Sequence, residues 1–322
     1  MVVEATDNIW MSSLPDPSAF SSGTAGLPDL PCYLNGVFTR LGEARVSVMD
    51  RGFIFGDGIY EVVPVYGGRP FRLDQHMARL SRSLRELRIP NPLTPEQWQE
   101  LVRQLIARFA DATATPAAQT DQLVYIQVTR GVAMRDHAMP ANISPTLFAM
   151  VNTMRTPSAE QFANGVACVT ADDFRWQKAH IKSTSLLGAV FSRQISVDAG
   201  AVETVMFRDG YLSEAAASNV WVVKDGTVLG SPRDHLVLEG IRYGLIEEMC
   251  RSVGIPFALR RISRAEVLEA DELLLSSATK EVLSITTLDG LPVGHASHRG
   301  RRGPVSVRLH AAYQAAKQAD AG

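Results

Sequence analysis

The sequence contains few lysines and few cysteines, and it has no long hydrophobic segment. Of its 32 basic residues only five are lysine, and its three cysteines, Cys32, Cys168 and Cys250, lie far apart. An odd and widely spaced set of cysteines argues against a disulfide framework and against a zinc site. There is no apolar run of about eighteen residues and no signal-peptide pattern at the N-terminus. We therefore expect a soluble, cytoplasmic protein with no membrane partner.

The sequence also lacks an excess of charge of either sign. Its 32 basic residues face 34 acidic ones, which gives a formal net charge of -2. Proteins that bind nucleic acid usually carry a strongly basic surface, so we expect no nucleic-acid partner. With 46% hydrophobic and 20% charged residues, the 322-residue chain has a globular composition and is long enough for two domains. Small molecules are the expected ligands.

Periodicity and turn residues divide the chain into segments. Residues 1–30 are rich in Ser, Gly and Pro, which predicts a flexible arm. We predict a small α+β domain over 31–152, a linker over 153–159 and a larger α+β domain over 160–322. The larger domain contains the lysine discussed below.

Local signals predict individual elements within these segments. The Asn-Gly pair at 35–36 predicts a hairpin, and the Asp-Gly pairs at 209–210 and 225–226 join three further strands. Apolar residues at steps of three and four predict a helix that follows an N-cap at Asp74. Thr94, followed by proline, predicts the start of a second helix.

Lys182, in the segment "AHIKSTSLLGA", stands out because this sequence prefers arginine. Lysine can lose its proton when it is buried and can then attack a carbonyl group, which arginine cannot do. Lys182 precedes a run with apolar residues at helical spacing, and Ser183, Thr184 and Ser185 are candidate caps for that helix. Most lysines, however, are solvated surface residues. A functional interpretation therefore needs a second residue.

Glu214 provides this second residue. It lies among small neutral residues in "YLSEAAASNVWVV". A carboxylate in apolar surroundings is costly unless a cation or a protonated ring nitrogen meets it. The alternative is a solvent-facing position on an alternating strand. Together, the lysine and the carboxylate suggest pyridoxal phosphate, with the lysine forming a Schiff base and the carboxylate keeping the pyridine nitrogen protonated.

Several segments occur in the order expected of fold-type IV pyridoxal phosphate aminotransferases. They are "DRGFIFGDGIYEVV", "HMARL", "TRGVAMRDHAMP", "IKSTSLLGAV", "EAAASNVW" and "LEGI". From about Tyr33 to Leu309 the chain resembles this family, and most closely its bacterial D-amino acid aminotransferases. The resemblance implies a two-domain α+β fold, pyridoxal 5'-phosphate as the cofactor, and a homodimer with active sites near the subunit interface.

The resemblance also implies a set of residues that bind the cofactor. These are Lys182, Glu214, Arg79, Ile241, Arg242, Ser277 and Ala278. Lys182 would in addition be the catalytic residue that moves the proton between substrate and cofactor. Arg79 would bind the phosphate with its planar guanidinium group. The backbone amides of Ile241 and Arg242 would bind it at a helix N-terminus, where N–H groups lack partners.

This sequence departs from the family pattern around the phosphate. Family members often have threonine at the positions of Arg242 and Ala278. Ser277, Thr279 and the Arg242 side chain are the candidates that replace those two hydroxyl groups. The D-amino acid enzymes also tend to have serines at 215–217, where this chain has alanines. A less polar wall is expected to admit bulkier or more apolar amines.

The substrate prediction depends on three residues. In D-amino acid aminotransferases, an Arg-x-His pair and a tyrosine hold the substrate α-carboxylate, and here these would be Arg135, His137 and Tyr60. An arginine and an imidazole or phenol donor can together satisfy the acceptor sites of a carboxylate. We therefore predict a transaminase that moves an amino group from a D-amino acid donor to a 2-oxo acid acceptor.

Several alternatives share the scaffold or the cofactor. A branched-chain L-amino acid aminotransferase would orient the carboxylate differently, and an (R)-amine transaminase would need no carboxylate site. An aminodeoxychorismate lyase would eliminate pyruvate, and a vitamin B6 carrier would bind the cofactor without turnover. The segment "MRDH" argues against the first three. "GDG" lacks the third glycine of a dinucleotide fingerprint, and His295 and His298 have no nearby cysteines, so we expect neither a dinucleotide nor a metal.

Overall fold

The computed structural model describes residues 26–295 and 297–319, so the predicted arm at 1–30 lies outside the described residues except for 26–30. The strands are β1 Pro31–Leu34, β2 Val37–Arg40, β3 Gly58–Tyr66, β4 Arg69–Pro70, β5 Gln122–Thr129, β6 Thr146–Thr153, β7 Val166–Asp172, β8 Glu203–Arg208, β9 Tyr211–Ala215, β10 Asn219–Lys224, β11 Thr227–Gly230, β12 Phe257–Leu259, β13 Glu272–Ser277, β14 Glu281–Leu288 and β15 Leu291–Pro292. The helices are α1 Arg51–Phe55, α2 Leu73–Glu86, α3 Pro95–Thr113, α4 Ala159–Asn164, α5 Leu187–Asp198, α6 Ile241–Ser252, α7 Arg264–Leu268 and α8 Pro304–Ala319, with a 3-10 turn at Ala117–Gln119. This mixture confirms the α+β prediction.

The first sheet is antiparallel and has the strand order β2-β1-β6-β5-β3-β4. The predicted hairpin at 35–36 joins β1 to β2, and Asn35 adopts the left-handed conformation with φ 47°. Helices α2 and α3 cover one face, where Leu80, Leu84, Trp98 and Leu105 pack against the strands in a buried cluster. This face explains the apolar spacing in both helices, because a helix that packs on a sheet buries one stripe.

The second sheet has the strand order β12-β11-β10-β13-β14-β7-β8-β9, and β15 pairs with β14. Parallel pairs join β11 to β12, β14 to β7 and β7 to β8, whereas the other pairs are antiparallel. The two predicted Asp-Gly turns at 209–210 and 225–226 connect β8 to β9 and β10 to β11. The predicted strand over 211–223 is in fact two strands, interrupted at 216–218.

A third region of the core connects the two halves of the chain. Tyr66 and Phe71, from the β3–β4 hairpin, pack with Tyr243 of α6 and Tyr313 of α8 in one buried cluster. Between the halves, β6 ends at Thr153 and α4 begins at Ala159. The domain boundaries named above remain predictions.

Two predicted helix caps are wrong. The N-cap of α2 is Arg72, with φ 55°, and Asp74 lies within the first turn. The N-cap of α5 is Leu186, with no capping side chain, whereas the hydroxyls of Thr184 and Ser185 donate to the carbonyl of Gly56. The cap at Thr94 is confirmed, since its side chain accepts from Gln97 N in a capping box.

Candidate active site

A cavity of about 1060 Å³ lies between the two sheets and is lined by residues from both. It brings together eight of the ten residues predicted for the site. These are Tyr60, Arg79, Lys182, Glu214, Ile241, Arg242, Ser277 and Ala278. The other two, Arg135 and His137, are described residues outside the lining of this cavity.

Lys182 is held at the cavity by an edge of the first sheet. Its carbonyl accepts from Tyr60 N at 3.0 Å, and Ser183 forms an antiparallel bridge with Ile59. The Lys182 backbone N–H donates to Ser83 Oγ of α2 at 3.4 Å. Its Nζ lies 4.0 Å from the centre of the Tyr60 ring. The lysine is therefore a partly buried residue with a fixed backbone, and the simple surface interpretation is excluded.

A glycine allows this close approach of the lysine segment. Gly56 has φ 65°, and a Cβ at this position would lie 2.9 to 3.2 Å from atoms of Ser185. Both the left-handed backbone and the close approach favour glycine. Gly56, the first glycine of "GDG", thus allows the Lys182 segment to pack against β3. This packing role accounts for the glycine without a dinucleotide, whose fingerprint the sequence lacks.

Glu214 is a buried carboxylate, so the alternative interpretation, in which it is a solvent-facing strand residue, is excluded. It is 4% exposed and accepts hydrogen bonds from Arg175 Nη1 at 2.7 Å and Asn219 Nδ2 at 3.1 Å. The backbone N–H of Leu238 is 3.3 Å from both carboxylate oxygens. Burial raises the pKa of Glu214, and Arg175 offsets part of this rise. The site thus has a carboxyl group that is held in place and is more basic than usual.

A further residue of the cavity lining, Arg175, lies outside the motifs named from the sequence. This arginine bridges Glu214 and Asp173, and its Nε lies 2.9 Å from Asp173 Oδ1. Burial alone would lower the pKa of Arg175, but the two carboxylates hold it above its usual value. No motif pointed to Arg175, because the contact joins residues that are 39 positions apart. Asn219, in contrast, lies in the quoted segment "EAAASNVW", although no role is predicted for it from the sequence.

Helix α6 also lines the cavity and begins after Gly240, where a Cβ would come within 2.4 Å of Asn219 Oδ1. The N–H groups of Ile241 and Arg242 are in the first turn of this helix, as predicted for an anion site. Ser277 and Ala278 lie at the end of β13 and line the same part of the cavity. The geometry is compatible with the predicted phosphate site, and the individual roles remain predictions.

Arg79 also lines the cavity, but its guanidinium group already has a partner. Its Nε and Nη2 bind the two oxygens of the fully buried Glu61, at 3.0 and 2.5 Å. Glu61 also contacts His76 Nδ1 at 2.9 Å and accepts from Val62 N at 3.0 Å. Burial lowers the pKa of His76 to about 4, and its Nε2 has no hydrogen-bond partner among the described residues. No role is predicted from the sequence for Glu61 or His76, although both lie inside quoted segments.

The loop that carries Arg135 and His137 contacts Phe55, which lines the cavity. The Arg135 guanidinium carbon and the His137 ring centre each lie 5.5 Å from the centre of the Phe55 ring. Both side chains are exposed. Arg51 Nη1 donates to the Asp136 carbonyl at 2.5 Å and thereby holds the loop. The role of Arg135 and His137 in binding the substrate carboxylate remains a prediction.

These residues fit pyridoxal phosphate. A lysine amine, a buried carboxylate and a helix N-terminus with nearby arginines line one cavity, and Arg242 Nε and His76 Nε2 are buried polar atoms without partners in the described chain. Such atoms are expected where a polar ligand binds. Among the described residues there is no group of three or more His, Cys, Asp or Glu that could hold a metal ion.

Comparison with known structures shows the same fold. The branched-chain amino acid aminotransferase of Escherichia coli superposes with a TM-score of 0.78 at 23% identity, covering 89% of this chain and 94% of that one. The branched-chain aminotransferase of the archaeon Thermoproteus uzoniensis, solved with norvaline, gives 0.76 at 21% identity, covering 88% of this chain and 93% of that one. A fold IV transaminase from Curtobacterium pusillum gives 0.74 at 25% identity, covering 88% of this chain and 92% of that one.

Comparison of sequences is more specific. Residues 58–288 match the model of amino-transferase class IV. A D-alanine aminotransferase from Bacillus licheniformis is 35% identical over 280 residues, which are 87% of this chain and 94% of the relative. One from Staphylococcus aureus (strain MSSA476) is 34% identical over 283 residues, 88% of this chain and 96% of the relative. The predicted resemblance is confirmed, and the chain belongs to the class IV aminotransferase family, whose members are pyridoxal phosphate-dependent enzymes.

Proposed function

We propose that this aminotransferase moves an amino group from a D-amino acid to a 2-oxo acid. The observation that carries this proposal is the likeness to D-alanine aminotransferases, which extends over nearly the whole of both chains at 34 to 35% identity. The branched-chain enzymes share only 21 to 23% identity with this chain and support the fold alone. The sequence also contains the Arg135-x-His137 pair expected for a D-amino acid enzyme.

The proposed chemistry divides among three groups that line the cavity, which are Lys182, Glu214 and the first turn of α6. Bound pyridoxal phosphate supplies a ring that withdraws electrons from the reacting carbon of the substrate. Lys182 is the one lysine of the described chain that lines the cavity, so its Nζ is the group that takes and returns the substrate proton. Glu214 would hold a proton on the ring nitrogen of the bound cofactor. The first turn of α6 anchors the phosphate.

The donor specificity is tested by a half-reaction. The holoenzyme is mixed separately with D-alanine, L-leucine and an (R)-arylalkylamine, and the visible absorbance of the cofactor is followed over time. We expect fast conversion by D-alanine and slow or no conversion by L-leucine. Preferential conversion by L-leucine or by the amine would leave the cofactor chemistry intact but overturn the proposed substrate.

Arg135→Ala is expected to impair the use of amino acids but not of amines. Loss of a charge-assisted bond to the carboxylate should lower kcat/KM for D-alanine by about 10- to 100-fold. An amine without a carboxylate should react at an almost unchanged rate. Arg103→Ala, at an exposed arginine paired with Glu100 on α3, is the matched control. An equal loss on both substrates would show that Arg135 does not act on the carboxylate.

We also propose that the enzyme is a homodimer in which each subunit completes the site of the other. The exposed side of α5 supports this, because Leu187, Val190 and Phe191 are 69%, 59% and 59% exposed. An apolar surface of this kind is typical of an interface. Leu187 and Val190 also line the cavity, so a second copy packed there would reach its opening. The proposed contribution of that copy is its loop with Arg135 and His137.

Mixed dimers test the shared site. Subunits with Lys182→Ala and subunits with Arg135→Ala are unfolded together, refolded together and assayed with D-alanine. If the site is shared, each mixed dimer contains one site with both native residues, and activity above that of either variant alone appears. If each subunit contains its own complete site, mixing restores nothing. Sedimentation measures the oligomeric state in the same samples.

We propose in addition that the enzyme works in the cytoplasm. The three cysteines are free and buried, which suits a reducing compartment. Burial raises the pKa of Cys168 and of Cys250 to about 12, so neither thiol is readily ionised. In the described part of the chain, helices are too short or too polar to cross a membrane. Cell fractionation measures the location directly.

A further inference from the structure

The side chain of Arg242 is a buried cation at the phosphate end of the cavity. It lies in the first turn of α6, is 3% exposed and lines the cavity. Its guanidinium carbon is 5.3 Å from the centre of the Phe71 ring and 5.4 Å from that of Tyr313. The position of the Arg242 guanidinium group is therefore set by two aromatic rings, one from the β3–β4 hairpin region and one from α8.

The polar atoms of Arg242 are poorly satisfied within the protein. Nη2 makes a long contact of 3.5 Å with the Ala278 carbonyl, and Nε has no partner among the described residues. Within the described chain, no carboxylate lies at ion-pair distance from it. Aromatic faces stabilise a buried guanidinium only in part. A buried charge generally requires a counter-ion, so the missing partner is expected to be an anion that enters the cavity.

The neighbouring Arg79, in contrast, has a carboxylate partner within the protein. Both oxygens of Glu61 bind it, and Glu61 is fully buried. Burial alone would raise the pKa of Glu61, but Arg79 and His76 hold it far below its usual value, so the carboxylate is charged. Arg79 and Glu61 thus form a neutral pair. The uncompensated positive charge at this end of the cavity belongs to Arg242.

We propose that the Arg242 side chain provides the main positive charge for the cofactor phosphate, in place of the threonine hydroxyls that family members often have at positions 242 and 278. This assignment rests on the family's cofactor and not on the proposed substrate. It also selects among the three candidates named from the sequence, since Ser277 and Thr279 carry no charge. Arg79 then contributes hydrogen bonds rather than net charge.

The C-terminal helix becomes part of the phosphate site in this arrangement. Tyr313 of α8 contacts Arg242, and its hydroxyl is 3.1 Å from that of Tyr66. On the same helix, Lys317 Nζ and Gln314 Nε2 bind the two oxygens of Glu281 at 2.8 and 2.7 Å, which anchors α8 to β14. When the phosphate is absent, Arg242 is left buried beside Tyr313 without a counter-ion. Phosphate binding is therefore expected to stabilise the packing of α8.

The proposal is tested by separating the phosphate from the rest of the cofactor. The full chain is freed of cofactor, and its affinities for pyridoxal phosphate, for pyridoxal and for inorganic phosphate are measured by titration. For Arg242→Thr, we expect a loss of about 10- to 100-fold for pyridoxal phosphate, no change for pyridoxal, and no measurable binding of inorganic phosphate. Arg261→Thr is the matched control, because Arg261 is an exposed arginine 3.7 Å from the centre of the Tyr211 ring.

Two results would overturn the assignment. One is an unchanged preference for pyridoxal phosphate over pyridoxal in Arg242→Thr, and the other is an equal loss of affinity for both compounds. The double variant Arg242→Thr/Ala278→Thr rebuilds the hydroxyl pair of the relatives. We expect it to regain part of the lost affinity, which a purely structural role of Arg242 does not explain.

A measurement on the unaltered protein covers the case in which Arg242→Thr fails to fold. Hydrogen exchange of the cofactor-free chain is measured once in inorganic phosphate and once in sodium chloride at equal ionic strength. The two exchange rates are then compared. We expect phosphate to slow amide exchange in α6 and in α8. Equal exchange of α8 in both salts would contradict its place in the phosphate site.

Discussion

Replacing Lys182 with alanine is expected to abolish amino-group transfer and to leave the fold intact. Lys182 is the one lysine, among the five in the chain, that lines the cavity. Its carbonyl accepts a hydrogen bond from Tyr60 N, and the adjacent Ser183 forms the bridge to Ile59 of β3. The variant loses the amine that we propose binds the cofactor and moves the proton. Because proton transfer alone contributes about 10²- to 10⁴-fold, the total loss should be at the upper end of this range or beyond it.

Single-turnover absorbance with D-alanine measures this effect. Lys178→Ala is the matched control, since Lys178 lies four positions earlier and is exposed. A small primary amine added to the Lys182→Ala variant should restore a fraction of the rate, because it can enter the cavity and accept the proton. A Lys182→Ala enzyme with normal turnover would remove the central assignment.

Glu214→Gln is expected to cause the second largest loss, about 10²- to 10³-fold in turnover, with little effect on the fold. Glutamine has nearly the same shape but no negative charge, so it cannot hold a proton on the ring nitrogen. Its amide group would also face Arg175, which donates to Glu214 at 2.7 Å in the native chain. The charge of Arg175 would then be balanced by Asp173 alone.

The pH dependence of the cofactor absorbance distinguishes this electronic effect from a structural one. In the native enzyme the spectrum should change little with pH around neutrality, whereas in Glu214→Gln it should shift as the ring nitrogen loses its proton. Glu100→Gln, at an exposed glutamate of α3, serves as the control. A Glu214→Gln enzyme with native spectra and native turnover would show that another group faces the ring.

The local elements of the fold were largely predictable because their signals are short in range. An Asn-Gly pair encodes the hairpin at 35–36, and the capping box of Thr94 and Gln97 encodes the start of α3. The start of α2 was placed wrongly, because Asp74 is a good capping residue by type, yet the turn into the helix is made by Arg72 with positive φ. Arginine carries no local signal for that conformation.

The hydroxyl-rich segment after Lys182 illustrates a different limit. Serine and threonine before an apolar run predict helix caps. In the structure, Thr184 and Ser185 instead donate to the Gly56 carbonyl, 128 and 129 residues away in sequence. A backbone carbonyl at the tight turn of Gly56 needs partners, and the fold supplies these hydroxyls. Such competition between local and distant acceptors is invisible in a short window of sequence.

The sequence by itself determined the family, the cofactor, the catalytic lysine candidate and eight of the residues that line the cavity, because motif order and residue chemistry are recorded in the chain. Tertiary structure alone decided the electrostatics. The Arg79–Glu61 and Arg175–Glu214 pairs join residues 18 and 39 positions apart. Arg242 became a buried cation only because Phe71 and Tyr313 meet around it. Burial and pairing depend on three-dimensional neighbours, and they determine which charged group is left to bind an anion.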